Sequence, residues 1–417
     1  MTRAIYSSPV LNIGADTNYS ALSDAYDGTA VKVVPTSLQI SQGVRPHKQS
    51  PAQFRNYYDN QIAQILSGLI ADVEDVEMLP ALNWNPLITT SVPLVTLAWS
   101  EFEQSWFATQ AGNVSARRSL DYGKTWDSIT IPTNATAFDV AADPAGNIVI
   151  ACAGAFQTGT YVSWGSMTWA SHTVSNLFTV NAQIVYEPGS SLWCSIGTIS
   201  ASFSIIIWTS PDGATWTNRT VPTNWHNPLN LTGATVAAVY MGVGNGVIVA
   251  CFIQTAAAFR TMRSLDGGIT WANDQQITVD AGITLSGASV GFPNITRPLW
   301  SAADGLWYIA VNQLSGSAKS QVFSSPDAIT WTSVATLLTN DVAINALQCI
   351  GSLLVGLNDG TRVVISGDKG VTWYRAGAIY SGGASPQLRA GGSGLLAMFS
   401  GGFSISSLRS GHPITLA

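Results

Sequence analysis

The stretch SLDYGKTW, residues 119–126, decides the fold because the same phrase returns four more times along the chain. It recurs as SPDGATW (210–216), SLDGGITW (264–271), SPDAITW (325–331) and SGDKGVTW (366–373). A sixth, decayed copy reads SWGSMTW (163–169), with Gly165 in the place of the aspartate. The tryptophans that end the six copies follow one another at steps of between 42 and 60 residues. Repetition at this period predicts an array of similar supersecondary units.

Each phrase has the composition of a self-supporting turn that leads into a strand. An aspartate beside a tight turn can accept hydrogen bonds from backbone N–H groups one or two residues on. Glycine supplies the positive φ that such a turn needs, and we expect the Thr-Trp pair to start a strand whose indole is buried between sheets. The predicted structural residues are Ser119, Asp121, Gly123, Trp126, Ser210, Asp212, Trp216, Ser264, Asp266, Gly268, Trp271, Ser325, Asp327, Trp331, Ser366, Asp368, Gly370 and Trp373.

These phrases resemble the Asp-box, or BNR, repeats of sialidase-like β-propellers, and with their flanking strands the resemblance covers roughly residues 81–417. It implies an all-β domain in which each box lies on the hairpin between the third and fourth strands of a blade. It also implies that the box aspartates are structural, since a catalytic residue has no reason to occur five times.

The number of blades follows from the ends of the array. Trp84 lies one repeat before Trp126, in a segment that resembles the strand after a box but has no box before it. At the other end, residues 388–408 have the pattern of three further strands. We therefore expect residues 82–91 to form the outer strand of a last blade whose inner three strands come from the C-terminus. This closure predicts seven blades and removes the open edge of the ring.

Residues 1–80 form a different module in this interpretation. A helix over about 51–78 is predicted from the capping sequence Ser50-Pro51-Ala52-Gln53 and from apolar residues at steps of three and four. The helix could pack on the propeller, or it could form a homo-oligomer or dock onto a larger assembly, and the sequence leaves these alternatives open. The segments 42–46 and 54–57 resemble attachment regions of bacteriophage tail-fibre and tail-appendage proteins, which implies other virion proteins as partners of residues 1–80.

Composition excludes several classes of partner. Charged residues make up only 10% of the chain and the net charge is −6, so there is no basic footprint for nucleic acid. No run of 18 apolar residues predicts membrane insertion, and residues 1–20 lack the apolar core of a signal peptide. We read Cys152, Cys194, Cys251 and Cys349 as core residues of apolar second strands, with no pattern that indicates a metal or a cofactor.

The small number of glutamates after residue 80 argues against a glycosidase. Glycosidases need two carboxyl groups, or in sialidases a tyrosine paired with a glutamate, together with arginines that hold the substrate. The only glutamates after residue 80 are Glu101, Glu103 and Glu187, and all three are expected in turns on the same face as the boxes. The phrase Thr296-Arg297-Pro298-Leu299 departs from the Phe/Tyr-Arg-Ile-Pro motif of sialidases. We therefore predict no catalytic residue, although the neighbours Tyr186 and Glu187 keep the glycosidase as an alternative.

On the opposite face, one long loop has the composition of a sugar site. Trp225, His226 and Asn230 lie together in residues 223–230 and could stack on a sugar ring and bond its hydroxyl groups. The alternative is that Trp225 packs on its own blade.

Three classes of function remain at this stage. The sequence favours a non-enzymatic bacteriophage virion component, made in the host cytoplasm, which residues 1–80 anchor in the particle. Its propeller would serve as a rigid knob that contacts neighbours or a host surface glycan. The alternatives are a sialidase-like glycoside hydrolase and a non-viral assembly or scaffold propeller, because a shared fold does not choose among functions.

Overall fold

All of the regular secondary structure that the described residues form consists of antiparallel β-strands. None of these residues belongs to a helix that could span a membrane. The computed structural model describes residues 88–89, 94–110, 115–121, 125–132, 136–163, 165–174, 181–199, 204–222, 239–255, 257–285, 295–313, 319–337, 344–358, 362–378, 384–391, 395–401 and 404–408. All of them belong to one unit of the chain, Leu79–Ala417. The predicted N-terminal module, residues 1–80 with its helix over 51–78, lies outside the described residues and stays a prediction.

The described strands form seven antiparallel sheets of four strands each. Strand β1 (Ile88–Thr89) precedes the first sheet, which holds β2 (Leu94–Ser100), β3 (Ser105–Gln110), β4 (Ser115–Ser119) and β5 (Asp127–Thr130). The second sheet holds β6 (Ala137–Ala142), β7 (Ile148–Cys152), β8 (Ala155–Ser163) and β9 (Ser166–Thr173). The third sheet holds β10 (Asn181–Glu187), β11 (Leu192–Ile199), β12 (Ser204–Ser210) and β13 (Thr217–Arg219).

The remaining sheets follow in chain order. The fourth holds β14 (Val239–Gly244), β15 (Val247–Thr255), β16 (Ala258–Ser264) and β17 (Ala272–Thr278). The fifth holds β18 (Leu299–Ser301), β19 (Leu306–Gln313), β20 (Lys319–Ser325) and β21 (Thr332–Leu337). The sixth holds β22 (Ala346–Ile350), β23 (Leu353–Asn358), β24 (Arg362–Ser366) and β25 (Tyr374–Ala378). The seventh combines β26 (Ala384–Gly391), β27 (Leu395–Gly401) and β28 (Ser404–Leu408) with β1.

The seven sheets are arranged in a closed ring. In each of the first six sheets the strands pair in chain order, so the first strand lies at one edge and the fourth at the other. The first strands contact one another in sequence from β2 through β6, β10, β14, β18 and β22 to β26, and β26 contacts β2 again. The first strands therefore surround the centre of the ring, and the fourth strands lie on its rim.

The ring closes through strands from both ends of the chain. β1 pairs antiparallel with β28, with Ile88 opposite Ile405 and Thr89 opposite Ser404, and is the outermost strand of the seventh sheet. The outer strand predicted over 82–91 is thus represented by its residues 88 and 89. The three C-terminal strands begin at Ala384 rather than at Leu388. The sheet with strands from both ends leaves no open edge between the first and the last sheet.

The hydrophobic core lies between neighbouring sheets. All five side chains of β7 are buried, which explains why the second strands read as continuous apolar runs instead of alternating ones. Between the third and fourth sheets, Ile196 and Ile207 pack with Met241, Ile248 and Phe252. Burial of side chains of this size stabilises the fold by about 1.5–3 kcal/mol each.

Three of the four cysteines lie where the sequence predicts them. Cys152, Cys194 and Cys251 are fully buried in the second strands β7, β11 and β15, and burial raises the pKa of the Cys152 thiol to about 12. The prediction is wrong for Cys349, which lies in the first strand β22 and is only partly buried. All four thiols are free.

Candidate functional site

The five repeat turns share one hydrogen-bond pattern. In each copy the serine hydroxyl donates to the aspartate at 2.7–2.9 Å, and the backbone N–H of the threonine donates to the same carboxylate at 2.6–2.9 Å. The threonine hydroxyl donates to the second carboxylate oxygen. The strand after each turn begins one residue beyond the tryptophan, so the expectation that Thr-Trp starts the strand is wrong by that margin.

These bonds set the charge of the turn aspartates. Partial burial alone would raise the pKa of Asp212, Asp266, Asp327 and Asp368, but the backbone and hydroxyl donors lower it, to about 2 for Asp212 and Asp327. Gly268 and Gly370 have positive φ as the turn requires, while Gly123 lies outside the described residues. A carboxylate that is ionised and saturated by its own turn is poorly suited to proton transfer.

The indoles of the turns differ in one respect. Those of Trp216, Trp271 and Trp373 donate from Nε1 to the carbonyl of a glycine in their own turn, at 2.8–3.0 Å. The corresponding residue of the 325–331 turn is Ala328, and the indole N–H of Trp331 has no hydrogen-bond partner among the described residues. Trp331 is therefore not tied to its own turn in the way that the other three are.

The decayed sixth copy is held by the neighbouring sheet. Gly165, which stands in the aspartate place, donates its backbone N–H to Glu103 Oε1 at 3.3 Å and accepts at its carbonyl from Arg118 Nη2 at 2.6 Å. Both partners belong to the first sheet or its turn, and Glu103 is fully buried. A contact between sheets thus replaces the missing aspartate.

A charged cluster lies at the centre of the ring. Asp139 on the first strand β6 is completely buried, and its carboxylate accepts from Thr96 Oγ1 of the first sheet at 2.8 Å and from the Ile184 N–H of the third sheet at 3.0 Å. Arg297, just before β18, lies with Nη2 at 2.8 Å from Asp139 Oδ1. Arg389 on β26 lies with Nη2 at 3.9 Å from the same oxygen. Because the fifth and seventh sheets are not neighbours of the second, their arginines reach Asp139 across the centre.

The electrostatics of this central cluster are unbalanced. Burial alone would raise the pKa of Asp139, but the charges of Arg297 and Arg389 and the hydrogen bonds from Arg297 and Ile184 hold it below its usual value. Burial and the nearby charge of Arg297 lower the pKa of Arg389 to about 9, although Asp139 opposes this. Two guanidinium groups face one carboxylate, so the cluster carries a surplus positive charge.

The guanidinium group of Arg389 uses only part of its hydrogen-bonding capacity. Its Nη1 donates to its own neighbour, the Leu388 carbonyl, at 3.1 Å, whereas its Nη2 is buried and has no hydrogen-bond partner among the described residues. Its side chain keeps 16% of its surface exposed and that of Arg297 keeps 22%. A planar anion that entered the centre of the ring could therefore bond to Arg389, because guanidinium groups bind carboxylates through paired N–H donors.

The glutamates considered for catalysis are committed elsewhere. Glu187, at the end of β10, accepts from the Gly189 and Ser190 N–H groups of its own turn at 2.9 and 2.6 Å. The ring of Tyr186 packs edge-on against Trp193, with centroids 5.0 Å apart. Glu101 accepts from the indole of Trp99 at 2.7 Å. The structure therefore brings no tyrosine–glutamate pair together from these residues.

The remaining site predictions from the sequence concern a sugar site and metal ligands. Trp225, His226 and Asn230 lie outside the described residues, so the predicted sugar site stays a prediction. Among the residues that the structure describes, no group of three or more His, Cys, Asp or Glu side chains could hold a metal ion. The sequence analysis did not single out Asp139 or Arg389, although a charged residue within an otherwise weakly polar first strand is a usable signal.

Comparison with solved structures identifies the architecture. No protein-family model matches the sequence, and no curated protein matches it. The structure of YCF48 bound to D1 peptide is similar over 82% of this chain and 100% of its own, with a TM-score of 0.54 and 13% identity. The fold is a β-propeller.

Enzymes share this propeller fold with binding proteins. Virginiamycin B lyase from Staphylococcus aureus is similar over 78% of this chain and 97% of its own, with a TM-score of 0.53 and 11% identity. Kuenenia stuttgartiensis hydrazine synthase is similar over 75% and 94%, with a TM-score of 0.53 and 10% identity. Likeness at this level of identity concerns the fold alone.

Proposed function

We propose that this chain is a non-enzymatic binding protein built on a seven-bladed Asp-box propeller, closed by its own outer strand from residues 82–91. The seven described sheets, their closed ring and the pairing of β1 with β28 support the blade count. The shared Ser–Asp–Thr hydrogen bonds of the five turns support the Asp-box assignment.

The single observation that carries the non-enzymatic assignment is the state of Asp139. Glycoside hydrolysis requires one carboxyl group that can hold a proton and a second one about 5–9.5 Å away. On the described first strands, the other carboxylate besides Asp139 is Glu187, which caps its own turn. Asp139 is buried, ionised and paired with Arg297, so it serves neither as an acid nor as an accessible base. The sialidase-like hydrolase remains the alternative.

We place the binding function at the centre of the ring. The surplus charge of the central cluster and the unused donors of Arg389 suit the acidic group of a ligand, such as the carboxylate of an acidic host glycan. The structure of YCF48 with the D1 peptide supports the idea that this fold can work as a binding module, and it keeps an assembly or scaffold propeller as a second alternative.

The proposed setting is a bacteriophage virion, in which residues 1–80 anchor the chain to other virion proteins and the propeller contacts neighbours or host glycans. Support for this setting comes from the sequence: the low charge content and the resemblance of residues 42–57 to phage attachment regions. The homo-oligomer and the glycan site at Trp225, His226 and Asn230 belong to the same proposal.

Two measurements test these proposals separately. Mass spectrometry of purified particles from the source phage should detect the chain, and its absence from particles would refute the virion role. A glycan array probed with the full chain should show retention of acidic glycans that the substitution Arg389→Gln abolishes, without release of cleaved sugar. Release of cleaved sugar from any arrayed glycan by the unmodified chain would instead establish the hydrolase.

A further inference from the structure

A second concave site lies far from the central cluster, on the rim of the ring between the fourth and fifth sheets. It is a groove of about 460 Å³, which falls in the range of about 300–1,000 Å³ that small-molecule sites occupy. The outer strand β17 forms one wall, and the 325–331 turn with the start of β21 forms the other. We call it the Gln275–Trp331 groove after the two side chains on its opposite walls.

The walls of this groove are held in place by a buried amide. Gln321 is fully buried, accepts from the Asp280 N–H at 2.8 Å through Oε1, and donates to Ser333 Oγ at 2.9 Å through Nε2. Asp280 belongs to the wall of the fourth sheet and Ser333 to the wall of the fifth. The groove is thus preformed, which lowers the entropic cost of binding a ligand.

The described residues that line the groove are partly polar and partly apolar, and none of them carries a positive charge. Successive side chains of a strand alternate between its two faces, and Ile277 packs in the core cluster with Phe323 and Trp331. Gln275 is two residues from Ile277, so its side chain lies on the same face, towards the groove. It is exposed and makes no hydrogen bond to the described residues. Among the residues that the structure describes, neither a lysine nor an arginine lines the groove.

The indole of Trp331 adds an aromatic surface at the groove. It is partly exposed, and it is the indole described above that lacks the hydrogen bond to its own turn. An aromatic ring beside an unused amide and hydroxyl groups is the combination that binds sugars, because the ring contacts the apolar C–H face while the polar groups bond the hydroxyls.

We propose that the Gln275–Trp331 groove binds a neutral oligosaccharide. The lack of cations disfavours phosphate, sulfate and carboxylate ligands, since Asp280 would repel them. This site is separate from the central cluster and does not depend on the function proposed there, because its ligand is neutral and its residues belong to other strands.

The test is titration of the full-length chain with maltotriose, cellotriose and chitotriose, followed by saturation-transfer NMR and calorimetry. Binding to one of them should weaken about tenfold in Gln275→Ala, the size expected for losing one or two ligand hydrogen bonds. Asn218→Ala is the matched control, since this exposed amide lies on the outer strand β13 of the third sheet and does not line the groove. Trp331→Phe keeps a ring, and should shift the saturation-transfer contacts of the sugar.

Each other outcome would overturn the proposal. Equal weakening in Gln275→Ala and Asn218→Ala would mean that the groove amide is not the recognition group. Loss of binding in Arg389→Gln but not in Gln275→Ala would place the sugar in the central cluster. A neutral saccharide site would be excluded if none of the three trisaccharides bound saturably at concentrations about tenfold above the millimolar range that is usual for weak sugar binding. Binding of an extended peptide alone would exclude it as well.

Discussion

Replacing Asp139 with asparagine should lower the free energy of unfolding by about 3–5 kcal/mol, because it leaves two partly buried arginines without a counter-charge. The geometry supports a loss of this size. Arg297 Nη2 lies 2.8 Å from Asp139 Oδ1, and two unit charges about 4 Å apart interact by about 4 kcal/mol at an effective dielectric constant of 20. Arg297→Gln should cost a similar amount, because it leaves the fully buried carboxylate with only the more distant arginine.

Arg389→Gln should behave differently from Arg297→Gln. Arg389 is attracted to Asp139 over 3.9 Å but is repelled by Arg297, and its Nη2 makes no hydrogen bond to the described residues. These effects offset each other, so we expect a change within about 1 kcal/mol, typical of a substitution that removes no net interaction. This near-neutral effect on stability is what separates a ligand-binding arginine from a purely structural one.

Urea unfolding at pH 7, with the double variant Asp139→Asn/Arg297→Gln included, measures all of these differences. The double variant should lose less than the sum of the single variants, because it leaves no unpaired charge between the two positions. Below its unfolded pKa of 3.8 the effect of Asp139→Asn should shrink. The folded pKa of Asp139 is lowered, so its contribution is complete above 3.8 and is lost as the pH falls through the folded pKa. Equal destabilisation by Arg389→Gln and Arg297→Gln would refute this description of the central cluster.

Three further predictions concern the turns. The four turn aspartates with lowered pKa stabilise the fold fully above pH 3.8. In a pH series of thermal melts, the melting temperature should therefore fall as the pH drops from about 4 towards 2. A melting temperature that stays constant over this range would contradict the hydrogen-bond pattern. Gly268→Ala should lower the melting temperature more than Gly246→Ala. Both glycines have positive φ, but a Cβ at Gly268 would overlap the Cys194 side chain, while a Cβ at Gly246 meets nothing within 4 Å. Equal melting temperatures of the two variants would be evidence against tight packing of the turn at Gly268. Glu103→Leu should cost about 1–3 kcal/mol in urea unfolding because it removes the buried acceptor of the Gly165 N–H, and a cost near zero would show that the sixth turn does not depend on this bond.

The repeats allowed much of the ring to be predicted from sequence, because the turn chemistry is local. Asp121 meets its partners Ser119 and Thr125 within the same phrase, so the residues that build the turn can be recognised without knowledge of the rest of the fold. The closing strand could also be inferred, since a propeller with a free edge is disfavoured, and the repeats left one strand over before the first box and three strands after the last.

The central cluster could not be predicted in the same way. Asp139, Arg297 and Arg389 lie on three different sheets, and only the closed ring brings them together. In the sequence, Arg297 lies in a phrase that does not match the sialidase motif, and Asp139 lies inside a strand, away from the turns and loops in which functional residues are expected. Cys349 was misplaced for a related reason: an apolar run does not by itself distinguish a first strand from a second one when both are buried.

The pairing of β1 with β28 also sets an order of events during synthesis. β1 leaves the ribosome before any other described strand, whereas its partner is made after all of them. The first six sheets consist of strands that are consecutive in the chain, so each can form as soon as it has emerged. The seventh sheet cannot, and β1 must wait for Ser404–Leu408. Until then the nascent chain has an incomplete ring with an unpaired sheet at each end. Any delay in the synthesis of the last strands prolongs the time in which these unpaired edges can associate with another copy of the chain.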